Sequence, residues 1–200
     1  MFTQVNECNV HYEVSGEGEP LILVHGTGAD AQSFEEMVPL LNKDFKVYAY
    51  DMRGFGETVR PADVPLSSTL WADDLAGLME EWGLEQAALA GWSLGGIVVM
   101  EFALRYSRMV NQLVLIGSGS PFPTSTPMDR SGFETRRKLA EEGASIEEIV
   151  EKTFEFSKGA YSPYVIENKP TALEKLRLTL LRNDPKSYAD VIKAARSDFG

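Results

Sequence analysis

The chain has 200 residues, 44% of them hydrophobic, enough for one sizeable core and an appended subdomain. Nineteen Lys and Arg stand against thirty Asp and Glu, a net charge of −11, with no basic stripe, so nucleic acid and anionic membrane are poor partners. Cys8 is the only cysteine, which excludes an internal disulfide and a cysteine zinc site.

The charge is uneven. Residues 1–120 carry 6 basic and 17 acidic side chains, a balance of −11, whereas residues 121–200 carry 13 of each and balance at zero. That places a compositional break near Pro121. The N-terminus, "MFTQVNECNV", lacks the charged start and apolar stretch of a signal peptide, and no run approaches the ~20 apolar residues that span a bilayer. The location expected by default is cytoplasmic.

In chain order, "FTQVNECNVHYEVSG" alternates and reaches the turn "GEGEP", which reads as a β-hairpin. "PLILVHG" is a short, continuously apolar run ended by glycine, as a strand covered on both faces would be. "DAQSFEEMVPLLNKDF" spaces Phe34, Met37, Leu40 and Leu41 as a helix, shortened or bent by Pro39. "KVYAYDMRGFGE" gives a buried strand and a glycine-rich loop. "STLWADDLAGLMEEWGL" puts Leu70, Leu75, Leu78, Met79 and Trp82 on one helical stripe, with Gly83 as its C-terminal cap. "QAALAGW" reads as strand, "LGGIVVMEFALRYS" as helix and "VNQLVLIGSGS" as strand again.

Alternating strands and helices predict an α/β fold: a mostly parallel sheet of about six strands flanked by helices over residues 1–120. Residues 121–200 are expected to be a helical cap with no strand. There Ser145 and Glu148 make a capping box, while Pro170 and Pro185 open helices, the latter after Asp184 as N-cap.

The chemistry concentrates in "AGWSLGG". Ser93 stands where a buried strand meets a helix, flanked by Gly91 and Gly95 with Gly96 behind them. A sharp turn there forces the serine backbone into a sparsely allowed region, and glycines remove the collisions that side chains would make. The hydroxyl is then lifted from the sheet edge above helix N–H groups, which favour developing negative charge. A serine N-cap on an ordinary strand-to-helix turn is the plainer alternative. A second element fits the same chemistry. "VHGTG" ends the strand expected beside the serine strand, and a glycine turn there can aim the Thr27 N–H at a carbonyl oxygen. With the N–H of Leu94 it makes a two-donor oxyanion hole. Gly26 and Gly28 as a mere strand exit is the competing reading.

On "LILVHGTG", "VYAYDMRGFGET" and "LAGWSLGGIVVMEFALRYSRMVNQLVLIGSG" the sequence resembles the α/β-hydrolase fold superfamily, in its capped branch of small-molecule esterases, lactone hydrolases, carbon–carbon bond hydrolases and haloperoxidase-like enzymes. The resemblance covers residues 1–120, and 121–200 looks like the variable cap. Phe55 and Thr58 stand where that family often has histidine and serine. The resemblance implies that Ser93 is the nucleophile, that Thr27 and Leu94 supply the oxyanion donors, and that His25 and Gly26 shape the oxyanion loop. A serine where some relatives carry aspartate points away from dehalogenases and epoxide hydrolases.

A serine hydroxyl needs a base, usually a histidine held by a carboxylate, and in this fold the chain order is serine, acid, histidine. Here both histidines, His11 and His25, precede Ser93. His11 is expected at an edge far from the serine, and His25 as a structural histidine with a lesser claim as base. Asp129 is a weak candidate for the acid, and Asp51 reads as a loop-organising carboxylate. No HExxH, CxxC or phosphate-cradling loop is present, so neither metal nor cofactor is implied.

Three explanations follow. The chain is the N-terminal part of a longer hydrolase, inactive alone; the remainder comes from another chain; or the protein is a non-catalytic module binding a small molecule between core and cap. Without further strands the sheet would end on "QLVLIG", an apolar edge open to self-association. Phe133, Phe154, Phe156, Tyr161 and Tyr164 are expected either to set specificity from the cap or to pack within it. The substrate expected is a small, mainly apolar ester, lactone or similar activated carbonyl.

Overall fold

The computed structural model describes residues 1–118, 131–157 and 163–197. Six strands form one sheet: β1 (Phe2–Val5), β2 (Cys8–Ser15), β3 (Glu19–Val24), β4 (Phe45–Tyr50), β5 (Ala87–Trp92) and β6 (Val110–Ile116). Their order across the sheet is β1-β2-β4-β3-β5-β6. β1 and β2 are a hairpin turning at Asn6 and Glu7, both at positive φ (44° and 64°), the turn geometry that matches strand twist. β2 pairs antiparallel with β4, and β4, β3, β5 and β6 run parallel.

The continuous apolar runs have the expected cause. Along β3, Ile22 and Val24 enter the main core beneath α2 (Ser68–Glu81) and α3 (Leu94–Arg105), whereas Leu21 and Leu23 face a smaller core on the opposite side. Both faces of the central strands are covered, so no polar alternation appears. Leu75, Leu78 and Met79 of the α2 stripe are fully buried, and the helix ends at Gly83 with the Leu84 N–H bonded back to Met79 O at 2.8 Å.

The helix expected between β3 and β4 is reduced to a 3-10 turn, Ala31–Phe34, and one short piece, α1 (Val38–Leu41). Pro39 has no N–H for the Glu35 carbonyl and its ring would strike that oxygen, so no longer helix can run through it. Phe34 still plugs the smaller core, but Met37 and Leu40 are exposed.

After β6 the described chain is helical, with α4 (Ser131–Glu141), α5 (Ile146–Ser157), α6 (Pro163–Asn168), α7 (Pro170–Leu181) and α8 (Pro185–Ser197). The Ser145–Glu148 capping box opens α5, with reciprocal bonds of 2.9 and 3.3 Å, and the Asp184 carboxylate caps α8 through the Ser187 N–H at 2.8 Å. Ala140, Ile149, Tyr188, Ala189 and Ile192 form a small core of this layer's own. Val191 and Ala194, on another side of α8, join the main core with Met52, Phe55 and Leu66. The helical layer is thereby fixed to the sheet domain by apolar packing. Its boundary with that domain, near Pro121, lies outside the described residues. No described helix is long and apolar enough to cross a membrane.

At the sheet's other end, Leu113, Val114, Leu115 and Ile116 of β6 are all exposed, and β6 is the edge strand among the described residues. The glycine-rich loop after β4 is anchored differently, by a buried ion pair. Arg53 donates to both oxygens of Asp74 on α2 at 2.7 Å and to the Asn6 carbonyl at 2.8 Å, and its own carbonyl accepts from Trp71 Nε1 at 2.9 Å. Replacing Asp74 by alanine strands the guanidinium in the interior. Urea denaturation of Asp74→Ala is expected to show a loss of about 3–5 kcal/mol.

Candidate active site

Ser93 joins β5 to α3 at φ 53° and ψ −114°, a conformation outside the allowed regions for a residue with a side chain. Its N–H is bonded to Ile116 O at 2.9 Å and its carbonyl accepts from Gly96 N at 3.0 Å, so the strain is held from both sides. The corner closes only because two glycines let backbones meet. A Cβ on Gly91 would collide with Gly95 O, and one on Gly95 would collide with the Val24 and His25 carbonyls at the end of β3. The serine side chain stays half-buried and is not walled in.

β3 does lie beside β5, with Val24 opposite Gly91, which brings the loop after β3 to the serine corner. A Cβ on Gly26 would stand 3.1 Å from Ser93 Cβ. Gly26–Ala29 is a turn closed by the Ala29 N–H on Gly26 O at 3.1 Å, with Gly28 at φ 76°. Positive φ at the third position makes it a type II turn with Thr27 second, where the N–H takes no part in closing the turn. Leu94 is the first residue of α3, so its N–H has no intrahelical acceptor. Thr27 and Leu94 thus lie on the two segments that meet at the half-buried serine, their N–H groups unused in closing the turn or within α3.

His25 is fully buried. Its Nε2 accepts the Met52 N–H at 3.0 Å, which leaves Nδ1 as the protonated nitrogen, donating to Gly26 O at 2.9 Å. Phe55 meets the ring edge-on at 5.0 Å. Both nitrogens are engaged, and burial pushes the pKa below its ordinary value despite the opposing effects of the Gly26 carbonyl, Asp51 and Asp30. His11 is buried on β2, with Nδ1 3.0 Å from Asp51 Oδ2 and Nε2 3.8 Å from Glu57 Oε1. Neither imidazole is available to Ser93. Asp51 also accepts the N–H groups of Ala31 at 2.7 Å and Glu57 at 2.8 Å, tying the loops after β3 and β4 together as a loop-organising carboxylate.

Asp129 and Tyr161 lie outside the described residues, as do the side chains of Phe133 and Phe156. Phe154 is half-buried beside Leu139 in an acidic-rimmed groove of the helical layer, and Tyr164 is 64% exposed on α6. A different groove, of about 330 Å³, lies between Trp92, the residue before Ser93, and Ala172, Leu176 and Thr179 of α7, with Glu35, Glu36, Lys175 and Arg182 also on its walls. Reading the sequence alone passes over those α7 residues, and also over Asn183 and Arg182 in the turn after α7. That turn touches the Gly26–Ala29 loop across more than 150 residues of chain, and no local pattern signals a contact of that kind.

A family model for the alpha/beta hydrolase fold matches residues 19–140, more than half of the chain. The chain belongs to the α/β-hydrolase family. This α/β hydrolase is 38% identical over 119 residues to the 2-hydroxymuconate semialdehyde hydrolase of Pseudomonas sp. strain CF600, covering 58% of this chain and 42% of that one. It is 31% identical over 113 residues to the pimeloyl-[acyl-carrier protein] methyl ester esterase of Vibrio cholerae, covering 56% and 42%. Among solved structures, the enol-lactonase from Burkholderia xenovorans LB400 superposes with a TM-score of 0.83 at 22% identity, over 97% of this chain and 72% of that one. The chain thus spans about half or less of the length of the curated relatives it matches.

Because folding holds His25 neutral, the unfolded chain binds more protons than the folded α/β hydrolase once the pH falls below the ordinary histidine value of 6.5. Stability is full above that value and is lost on acidification, with a slope of up to about 1.4 kcal/mol per pH unit. His25→Asn is expected to be less stable at pH 7 but to lose less between pH 7 and 5, as read from urea midpoints across that range.

Proposed function

We propose that this chain carries the nucleophile and the oxyanion hole of a serine hydrolase acting on a small, mainly apolar ester, lactone or related activated carbonyl. The observation that carries the reading is the strained corner at Ser93 facing the Gly26–Ala29 turn. A serine that only capped a helix would not need this conformation, which costs of order 1–3 kcal/mol, and Ser93 makes no side-chain cap bond.

In the reaction Ser93 Oγ attacks the carbonyl carbon while its proton passes to a base. The carbonyl π electrons move onto oxygen, and the N–H groups of Thr27 and Leu94 hold that oxyanion. Collapse expels the leaving alkoxide, which takes up the proton. Water then attacks the acyl-serine, releasing the acid and restoring the hydroxyl. The base lies outside the described residues, because His25 and His11 are both committed elsewhere. Helices α4–α8 act as the cap. No cofactor or metal enters the scheme. The names of the relatives, which include a semialdehyde hydrolase and a methyl ester esterase, support a hydrolytic reaction of a carbonyl compound.

The engagement of both histidines favours a second reading, a small-molecule-binding protein in which Ser93 only shapes the turn. A fluorophosphonate probe separates the two. In a protein that includes the segment supplying the base, it is expected to modify Ser93, located by peptide mass mapping, and to leave Ser93→Ala untouched; equal modification of both rejects the nucleophile. For the 200-residue chain by itself, turnover of p-nitrophenyl acetate is expected to stay near background. Rapid turnover abolished by His25→Ala would instead make His25 the base.

A further inference from the structure

The turn between α7 and α8 grips the loop that supplies Thr27. Asn183, buried in that turn, donates through Nδ2 to Gly28 O at 2.7 Å and to Leu180 O at 3.0 Å. Leu180 and Tyr188 press on Gly28 so closely that a Cβ there would overlap the leucine methyl and stand 3.0 Å from the tyrosine ring. Arg182, the residue before Asn183, holds Asp30 Oδ2 through Nε at 3.0 Å and Nη2 at 2.5 Å. The Gly28–Ala29 peptide is consequently held at both ends, its oxygen by Asn183 and its N–H by Gly26 O at 3.1 Å. Gly26 O is thereby held by the Ala29 N–H as well as by His25 Nδ1 at 2.9 Å, and because Gly26 O and the Thr27 N–H belong to one planar peptide, the direction of that N–H is held with it.

We propose that Asn183 is a positioning residue, through which docking of the helical layer sets the geometry of the oxyanion turn. The inference rests on the serine-hydrolase reading for its consequence in catalysis, and on the loop geometry alone for its structural part. A neutral helix-capping role, satisfying only the Leu180 carbonyl at the end of α7, is the alternative that the experiment must separate.

Asn183→Asp keeps the shape and sets a carboxylate oxygen against the Gly28 carbonyl, whereas Asn183→Ala removes the group. In both variants, amide hydrogen exchange followed by NMR is expected to quicken at least about tenfold at Ala29, the N–H that closes the turn, and to stay as in the wild type at Ile22 and Leu89 in the central strands. Fluorophosphonate labelling at Ser93 is expected to slow about 10- to 100-fold at saturating probe with its half-saturating concentration unchanged, since the phosphoryl oxygen needs aligned donors chiefly in the transition state. Ala29 exchange that matches the wild type overturns the proposal, as does faster exchange with an unchanged labelling rate. Exchange that quickens equally in the central strands overturns it too, because Asn183 would then serve general stability. Should Ser93 resist labelling in the wild type even with the segment supplying the base present, the hydrolase reading fails, and the Ala29 exchange by itself decides whether Asn183 sets the loop.

Discussion

The close approach of two backbones, at the end of β3 and the start of α3, governs everything built around Ser93. Carbonyl oxygens of Val24 and His25 lie where a side chain on residue 95 would have to stand. Because the helix can come so near, its first N–H and the turn after β3 share one small space at the carboxyl ends of two neighbouring parallel strands. Parallel packing supplies the rest: strands covered on both faces are rigid, so a corner at their ends keeps its geometry when its own torsions are unfavourable. A looser contact here would leave the same residues present but without mutual alignment.

Around that contact, buried polar groups act as fasteners. His25 bridges Gly26 on one loop to Met52 on the next, and Asp51 bridges Ala31 to Glu57 and His11. Each ties a segment after β3 to one after β4, so the turn bearing Thr27 is held by its neighbours on the sheet as well as by the helical layer above it. A group engaged on both sides is of little use as a proton carrier. The chemistry of His25 is that of a fixed strut, and its neutrality follows from burial.

Much of this was legible in the residues. The continuous runs "LILV" and "VYAY", the helix stripe of Leu75, Leu78 and Met79, and the capping signals at Ser145 and Asp184 each correspond to an observed element, since each is a local consequence of burial or of unsatisfied backbone groups. The sharp corner at Ser93 also follows from local signals, the glycines in particular. Less legible was the segment around Pro39, where apolar spacing suggested more helix than a ring without an N–H permits. Least legible were Asn183 and Arg182. Their partners, Gly28 and Asp30, are some 150 residues away, and a polar residue in a turn gives no sign of whether it faces water or a distant loop.

The backbone at position 93 carries one further implication. Glycine alone enters φ 53°, ψ −114° without penalty, so the fold by itself would be relieved by losing the side chain there. On the serine-hydrolase reading, a hydroxyl placed against that preference trades robustness for reactivity at a single residue. Heat resistance is therefore a poor guide to competence in this scaffold, because the most relaxed version of the corner is also the one with nothing to react.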